Sequence, residues 1–284
     1  MWRQRVFLSV LHKPGVGALN WDHPQLMGSV GTTGTTAANR LAKEADVVIG
    51  IGTRYSDFTT ASRSAFQNPD VKFININIAS FDAFKHGSAI PIVADARETL
   101  KELNSELGGY KVDPAYAKQM REEKASWDAV VDAAFEDKNL SKPSQTEIIG
   151  AVQSQTDPRD VLICAAGSLP GDLHKLWRVR DPLGYHVEYA FSCMGYEIAA
   201  GLGVARADDT RTPIVMVGDG SYLMMHTELV SAVAEGLKFV VVLIQNHGFA
   251  SIGHLSETVG SQRFGTKYRF RDEVKNNFES GDPL

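Results

Sequence analysis

The chain alternates short runs of β-branched and apolar residues with stretches in which apolar positions recur every three to four residues. The segment Asp46–Ile51 reads as a buried strand stopped by Gly52, Val71–Ile78 as a second strand and Ile90–Val93 as a third, shorter one. Before and after them, Thr36–Glu44 and Arg97–Leu107 carry helical spacing. Further on, Asp160–Ala165, Ile214–Val217 and the wholly apolar Phe239–Gln245 read as strands, with Thr146–Gln155, Met194–Ala205 and His226–Glu235 as helices. Strands that alternate with helices call for parallel pairing through crossovers. The fold class is therefore α/β, with two doubly wound parallel-sheet domains.

The interval Asp113–Phe135 breaks that rhythm. It is charged, with Tyr116, Met120, Trp127, Val130, Val131 and Phe135 on one helical face, and reads as an amphipathic connecting helix. The polar run Asp137–Pro143 ends in proline and marks a boundary. Four stretches follow: residues 1–16 unassigned, 17–109 a central domain, 110–143 a connecting helix and linker, and 144–284 a second domain. Arg269–Leu284 reads as a polar tail, and Gly167–Asp172 as a turn-rich loop.

Composition alters little. The chain has 284 residues, 43% hydrophobic and 22% charged, which is ordinary for a globular protein. Its net charge of −5 offers no basic excess for phosphate backbones, so no nucleic-acid partner is expected. No apolar run reaches the ~20 residues of a membrane span. Two cysteines, Cys164 and Cys193, make no disulfide framework and lack zinc-ligand spacing, so a reducing, cytoplasmic setting is expected. Cys193 reads as a small buried apolar residue.

Chemistry concentrates where two strands end. Gly218-Asp219-Gly220-Ser221 and Asn246-His247-Gly248 each close a strand expected to be buried. They are separated by a single crossover unit, so Asp219 and Asn246 are expected side by side at the carboxyl edge, where α/β sheets bind ligands. A carboxylate and an amide carbonyl are hard oxygen ligands suited to Mg²⁺. Glycines let the backbone approach an anion, and the helix opening at Gly220 and Ser221 directs amide hydrogens at it. Among His226, His247 and His254, His247 is the candidate for substrate contact or proton transfer, because it sits between the expected metal ligand Asn246 and Gly248. Glu188 is a tempting acid; Glu197 falls within a helix pattern and reads as structural. Gly31–Ala37 reads as a helix-capping turn rather than a dinucleotide loop, because no strand precedes it.

This pair of motifs resembles the cofactor signature of thiamine diphosphate enzymes. The resemblance continues in Ser192–Glu197 with Ala199–Gly203, and in Gly167-Ser168-Leu169. It implies thiamine diphosphate and Mg²⁺ as cofactors. Asp219, Asn246 and the Gly248 carbonyl would hold the metal, and Gly218, Gly220 and Ser221 the diphosphate. Met194 would fix the bent shape of thiamine, the Ser192 carbonyl would accept from the 4′-amino group, and Gly167 and Ser168 would form the first loop. Longer stretches, among them Gly17–Pro24, Gly31–Asn39, Gly50–Phe58, Ala166–Leu173 and His186–Tyr189, resemble the branch that hydrolytically opens a cyclic 1,2-dione in inositol catabolism. That branch implies a small-molecule dione as substrate and a homodimer or homotetramer. Carboligases and decarboxylases similar to acetolactate synthase share the scaffold, and a non-catalytic cofactor-binding module remains a further alternative. The family's activating glutamate lies in a separate pyrimidine-binding domain that precedes the central one, and the C-terminal end is abrupt. The chain is therefore expected to be a fragment, inactive alone.

Overall fold

A computed structural model describes residues 6–7, 15–137, 141–188 and 191–280, with the backbone alone at Val6, Phe7 and Ser280. Residues 1–5, 8–14, 138–140, Tyr189, Ala190 and 281–284 lie outside the described residues. So do most of the unassigned 1–16 stretch, part of the Asp137–Pro143 boundary and the last residues of the expected tail. The chain forms two compact units, Met1–Gln153 with His174–Val179, and Ser154–Leu173 with Arg180–Leu284.

Unit 1 holds a parallel sheet in the order β1 (Val6–Phe7), β2 (Val47–Ile51), β3 (Lys72–Asn77), β4 (Ile90–Val93). Its helices are α1 (Thr36–Lys43), α2 (Asp57–Thr60), α3 (Ser80–Ala83), α4 (Ala96–Glu106), the long α5 (Pro114–Glu136) and most of α6 (Gln145–Gln155). Start signals written in the sequence set three of them. Thr35 caps α1 by accepting from the Ala38 N–H at 2.9 Å. Asp95 caps α4, and Asp113 followed by Pro114 opens α5. The segment Gly31–Ala37 is thus a capping turn, as its sequence indicates. Helix α1 buries Ala37, Ala38, Leu41 and Ala42 in a core shared with Met27, Val30, Val48, Tyr116 and Met120.

Unit 2 holds β5 (Val161–Cys164), β6 (Tyr185–Val187), β7 (Pro213–Gly218) and β8 (Val240–Ile244), all parallel, in the order β6-β5-β7-β8. The chain leaves β5 toward β6 on one side and leaves β7 toward β8 on the other. The winding therefore reverses between β5 and β7, and a crevice opens there at the carboxyl ends. Helices α7 (Ser168–Leu176, its last turn in unit 1), α8 (Tyr196–Ala207), α9 (Asp219–Met224), α10 (Glu228–Glu235) and α11 (Ala250–Thr258) follow in chain order. Helix α8 lies close on the sheet because Gly201 has no side chain. A Cβ there would stand 2.6 Å from Val215 Cγ2. Ile198 and Ala200 of α8 join Val161, Ile163, Val215 and Val217 in the core.

Four expectations change. The turn-rich Gly167–Asp172 mostly forms α7, because proline is tolerated in a helix's first turn. The polar stretch from Arg269 is no plain tail: β9 (Arg269–Asp272) and β10 (Asn277–Ser280) pair as an antiparallel hairpin. Strand β8, expected to be buried, is an edge among the described strands, with Val240 and Leu243 exposed. Cys193, expected to be buried, is exposed.

Candidate cofactor site

The loops on either side of the unit 2 crevice carry most of the residues singled out in the sequence. Asp219 stands directly after β7, is 6% exposed, and accepts four backbone N–H groups. Its Oδ1 takes the Gly220 N–H at 2.9 Å. Its Oδ2 takes those of Asn246, His247 and Gly248 at 3.3, 2.7 and 3.3 Å. The two strand-end motifs are therefore adjacent, and the loop after β8 is folded around one carboxylate.

That loop is clamped from its other side as well. Gly248 bridges Lys267, the Phe249 N–H donates to Thr266 O at 2.8 Å, and the Tyr268 N–H donates to His247 O at 3.0 Å. Gly248 has φ +153°, and a Cβ on it would meet Thr266 O at 2.3 Å, so only glycine fits. The Gly248 carbonyl oxygen lies 3.5 Å from the point a Gly220 Cβ would occupy. Asn246 is exposed at the strand end. His247, with φ +62°, gives its backbone N–H to Asp219 while its ring Nδ1 lies 3.2 Å from Gln245 Nε2.

Across the crevice, Gly167 (φ +95°) and Ser168 are exposed at the start of α7, and a Cβ on Gly167 would meet no atom within 4 Å. The same open space surrounds Gly218. Ser192 is exposed with φ +52°, and Met194 is half-buried. The loop that carries them is held by Glu188, whose carboxylate accepts from the Cys193 N–H at 2.8 Å and the Phe191 N–H at 3.3 Å. The Gly195 turn packs against Met225, whose Cγ would stand 2.7 Å from an added Cβ.

The structure adds a residue read as merely structural. Glu197 is 1% exposed. The Ser221 hydroxyl donates to it at 2.8 and 3.0 Å, and the Gly195 N–H at 3.1 Å. The backbone of Ala166 also bonds to it, and burial pushes its carboxyl above the usual range. Ser221 is thereby turned inward, and its hydroxyl also accepts from the Gly195 N–H at 2.7 Å. Only the partners distant in sequence, Ala166 and Ser221, reveal this; a lone acid in a helical pattern carries no such signal.

The donor set fits a hard cation: a carboxylate, an exposed amide and a turned carbonyl lie at one strand-end cluster. The unfilled space beside Gly167 and Gly218 is of the kind a phosphate-bearing ligand uses when the backbone must come close. Among the described residues, no group of three or more His, Cys, Asp or Glu side chains offers another metal site.

Comparison with known proteins agrees with this geometry. Residues 165–280 match the thiamine pyrophosphate enzyme C-terminal TPP binding domain, and residues 9–103 match the central domain of the same enzymes. The chain belongs to the thiamine pyrophosphate enzyme family. The strand-end motifs, the Gly167 loop and the Glu197 network all lie within the C-terminal domain of that family. Relatives include the 3D-(3,5/4)-trihydroxycyclohexane-1,2-dione hydrolases of Bacillus cereus strain AH820 and Bacillus thuringiensis strain Al Hakam, each 41% identical over 91% of this chain. That of Bacillus anthracis strain A0248 is 40% identical over the same share. This thiamine pyrophosphate enzyme chain spans 44% of the length of those relatives. No helix among its described residues is long and apolar enough to cross a membrane.

Proposed function

We propose that this chain carries the cofactor-binding part of an enzyme that hydrolyses a C–C bond in trihydroxycyclohexane-1,2-dione, opening the ring to 5-deoxyglucuronate in inositol degradation. The enzyme would be cytoplasmic and a homodimer or homotetramer. The observation that carries the reading is the Asp219 cluster at the end of β7, with the β8 loop folded onto it. The similarity to dione hydrolases along 91% of the chain supports the substrate.

In this reading Asp219, Asn246 and the Gly248 carbonyl would hold Mg²⁺, which would supply positive charge beside the diphosphate. Gly218, Gly220 and Ser221 line the diphosphate, and Gly167 and Ser168 face it from the other lip. Ser221 acts here through its backbone, since its hydroxyl is committed to Glu197. Ser192 offers its carbonyl to the aminopyrimidine, and Met194 supports the bent cofactor. When bound, thiamine diphosphate would supply a carbon nucleophile suited to a carbonyl of the dione. His247 lies beside the metal position and is the proposed proton carrier.

Calorimetric titration with thiamine diphosphate and Mg²⁺ tests the clamp. The unchanged chain is expected to bind, and Asp219→Ala to lose binding by at least tenfold. Equal affinity in the two would remove Asp219 from the metal site. For the substrate, a polypeptide of the relatives' length that carries this sequence should prefer the cyclic dione. Preference for pyruvate would overturn the assignment in favour of a carboligase or decarboxylase.

A further inference from the structure

Glu197 is the buried acid that the proposed chemistry does not use. Among the described residues, the groups that hydrogen-bond its carboxyl are backbone N–H groups and the Ser221 hydroxyl, not Lys or Arg. Burying an acid without a cation is unfavourable for stability, and an apolar side chain of similar size would serve packing better. What its position achieves is geometric. Its partners come from three places on the rim of the crevice: Ala166 after β5, Gly195 before α8 and Ser221 in α9. Ala166 and Ser221 belong to the two lips between which the winding reverses, and Gly195 adjoins Met194.

We propose that Glu197 is a positioning residue that ties the three cofactor loops of unit 2 into one fixed crevice. This deepens the cofactor reading above and rests on it. The carboxyl accepts at both oxygens, and the groups around it are donors: the backbone N–H groups of Ala166, Gly195 and Glu197 itself, and one hydroxyl. Gln has the same shape but accepts at one oxygen only, so its amide NH₂ must face a donor. One of the three ties is then lost, and the loops at the crevice loosen while the sheet beneath them stays intact. The hydroxyl of Ser221 is the middle link, since it accepts from Gly195 and donates to Glu197.

The test compares the unchanged chain, E197Q and S221A by amide hydrogen exchange without cofactor, and by titration with thiamine diphosphate in saturating Mg²⁺. For E197Q, exchange is expected to rise at least tenfold at Ala166–Leu169 and Met194–Tyr196, with β5 and β7 unchanged. The dissociation constant should rise at least tenfold. S221A, which keeps every backbone group, should loosen the same segments. Exchange that rises evenly through unit 2 marks a stability role and overturns the proposal, as does unchanged exchange or unchanged affinity in E197Q. If E197Q does not fold, S221A decides by the same two readings. An unchanged chain that binds no thiamine diphosphate overturns the cofactor reading and this proposal with it. Binding by the unchanged chain with no effect of E197Q overturns this proposal alone.

Discussion

At the scale of single residues, the carboxyl edge of unit 2 is organised by acids that accept backbone hydrogens. Asp219 gathers four N–H groups and Glu188 two, so each fixes a loop with one side chain. His186, on β6, belongs to the same neighbourhood. Its Nε2 lies 2.6 Å from the Tyr196 hydroxyl, and the rings stack with centroids 5.7 Å apart. Burial raises the Tyr196 hydroxyl above its usual value, and the nearby Glu188 charge adds to the rise. Burial pushes the His186 imidazole below its usual 6.5. A histidine whose folded value is lowered favours the folded state only while neutral. Its contribution is complete above 6.5 and is lost as pH falls through the lowered value. Chemical denaturation across a pH series should therefore show the unchanged chain losing stability on acidification more steeply than His186→Gln, with the two slopes matching above 6.5. Parallel curves throughout would refute this.

At the scale of elements, α8 shows how one absent side chain sets a packing distance. Alanine is a better helix former than glycine by about 1 kcal/mol. At Gly201 that gain is outweighed, because the new Cβ would stand 2.6 Å from Val215 Cγ2 and 3.1 Å from Phe239. Overpacking of that kind costs about 1 to 3 kcal/mol. Gly203, two positions along, is exposed with nothing within 4 Å of an added Cβ. Thermal or denaturant unfolding should find Gly201→Ala less stable than the unchanged chain and Gly203→Ala more stable. The same order of stability for both variants would undo the argument.

Which elements the sequence disclosed follows from the same physics. Strands β2, β3, β4, β5, β7 and β8 are runs of Val, Ile and their like, and their periodicity needs no tertiary information. Strand β6 is three residues, Tyr185–Val187, too short for any pattern to form. The β9–β10 hairpin mixes Arg, Asp, Glu and Asn with single phenylalanines, so its apolar content falls below what marks a strand. Helix α7 hides behind Pro170-Gly171, a pair that usually marks a turn. The site divides likewise. Asp219 and Asn246 are legible because each ends an apolar strand, whereas Glu197 takes its meaning from Ser221, 24 positions away.

At the scale of the whole molecule, each unit has its own sheet, and the cofactor motifs lie in unit 2. A ligand that binds only the folded form adds stability by mass action, about 2.7 kcal/mol at a hundred times its dissociation constant. Far-ultraviolet circular dichroism should register a higher unfolding midpoint with thiamine diphosphate and Mg²⁺ together. If the proposed metal clamp holds the cofactor, chelation by EDTA should return the midpoint to its starting value. A midpoint that survives EDTA would mean the diphosphate is held without the ion.

The segment His174–Val179 gives the chain a built-in order of assembly. It belongs to unit 1, although the residues on either side of it belong to unit 2. The Trp21 N–H donates to Val179 O at 2.9 Å, Ser29 meets His174 Nε2 at 2.8 Å, and the Arg178 guanidinium lies over the Trp21 ring and pairs with Asp132 at 2.7 Å. During vectorial synthesis the first unit therefore cannot finish when Gln153 has left the ribosome. Trp21 and Ser29 gain these partners only once the chain has grown through Val179, by which time β5 has already been made.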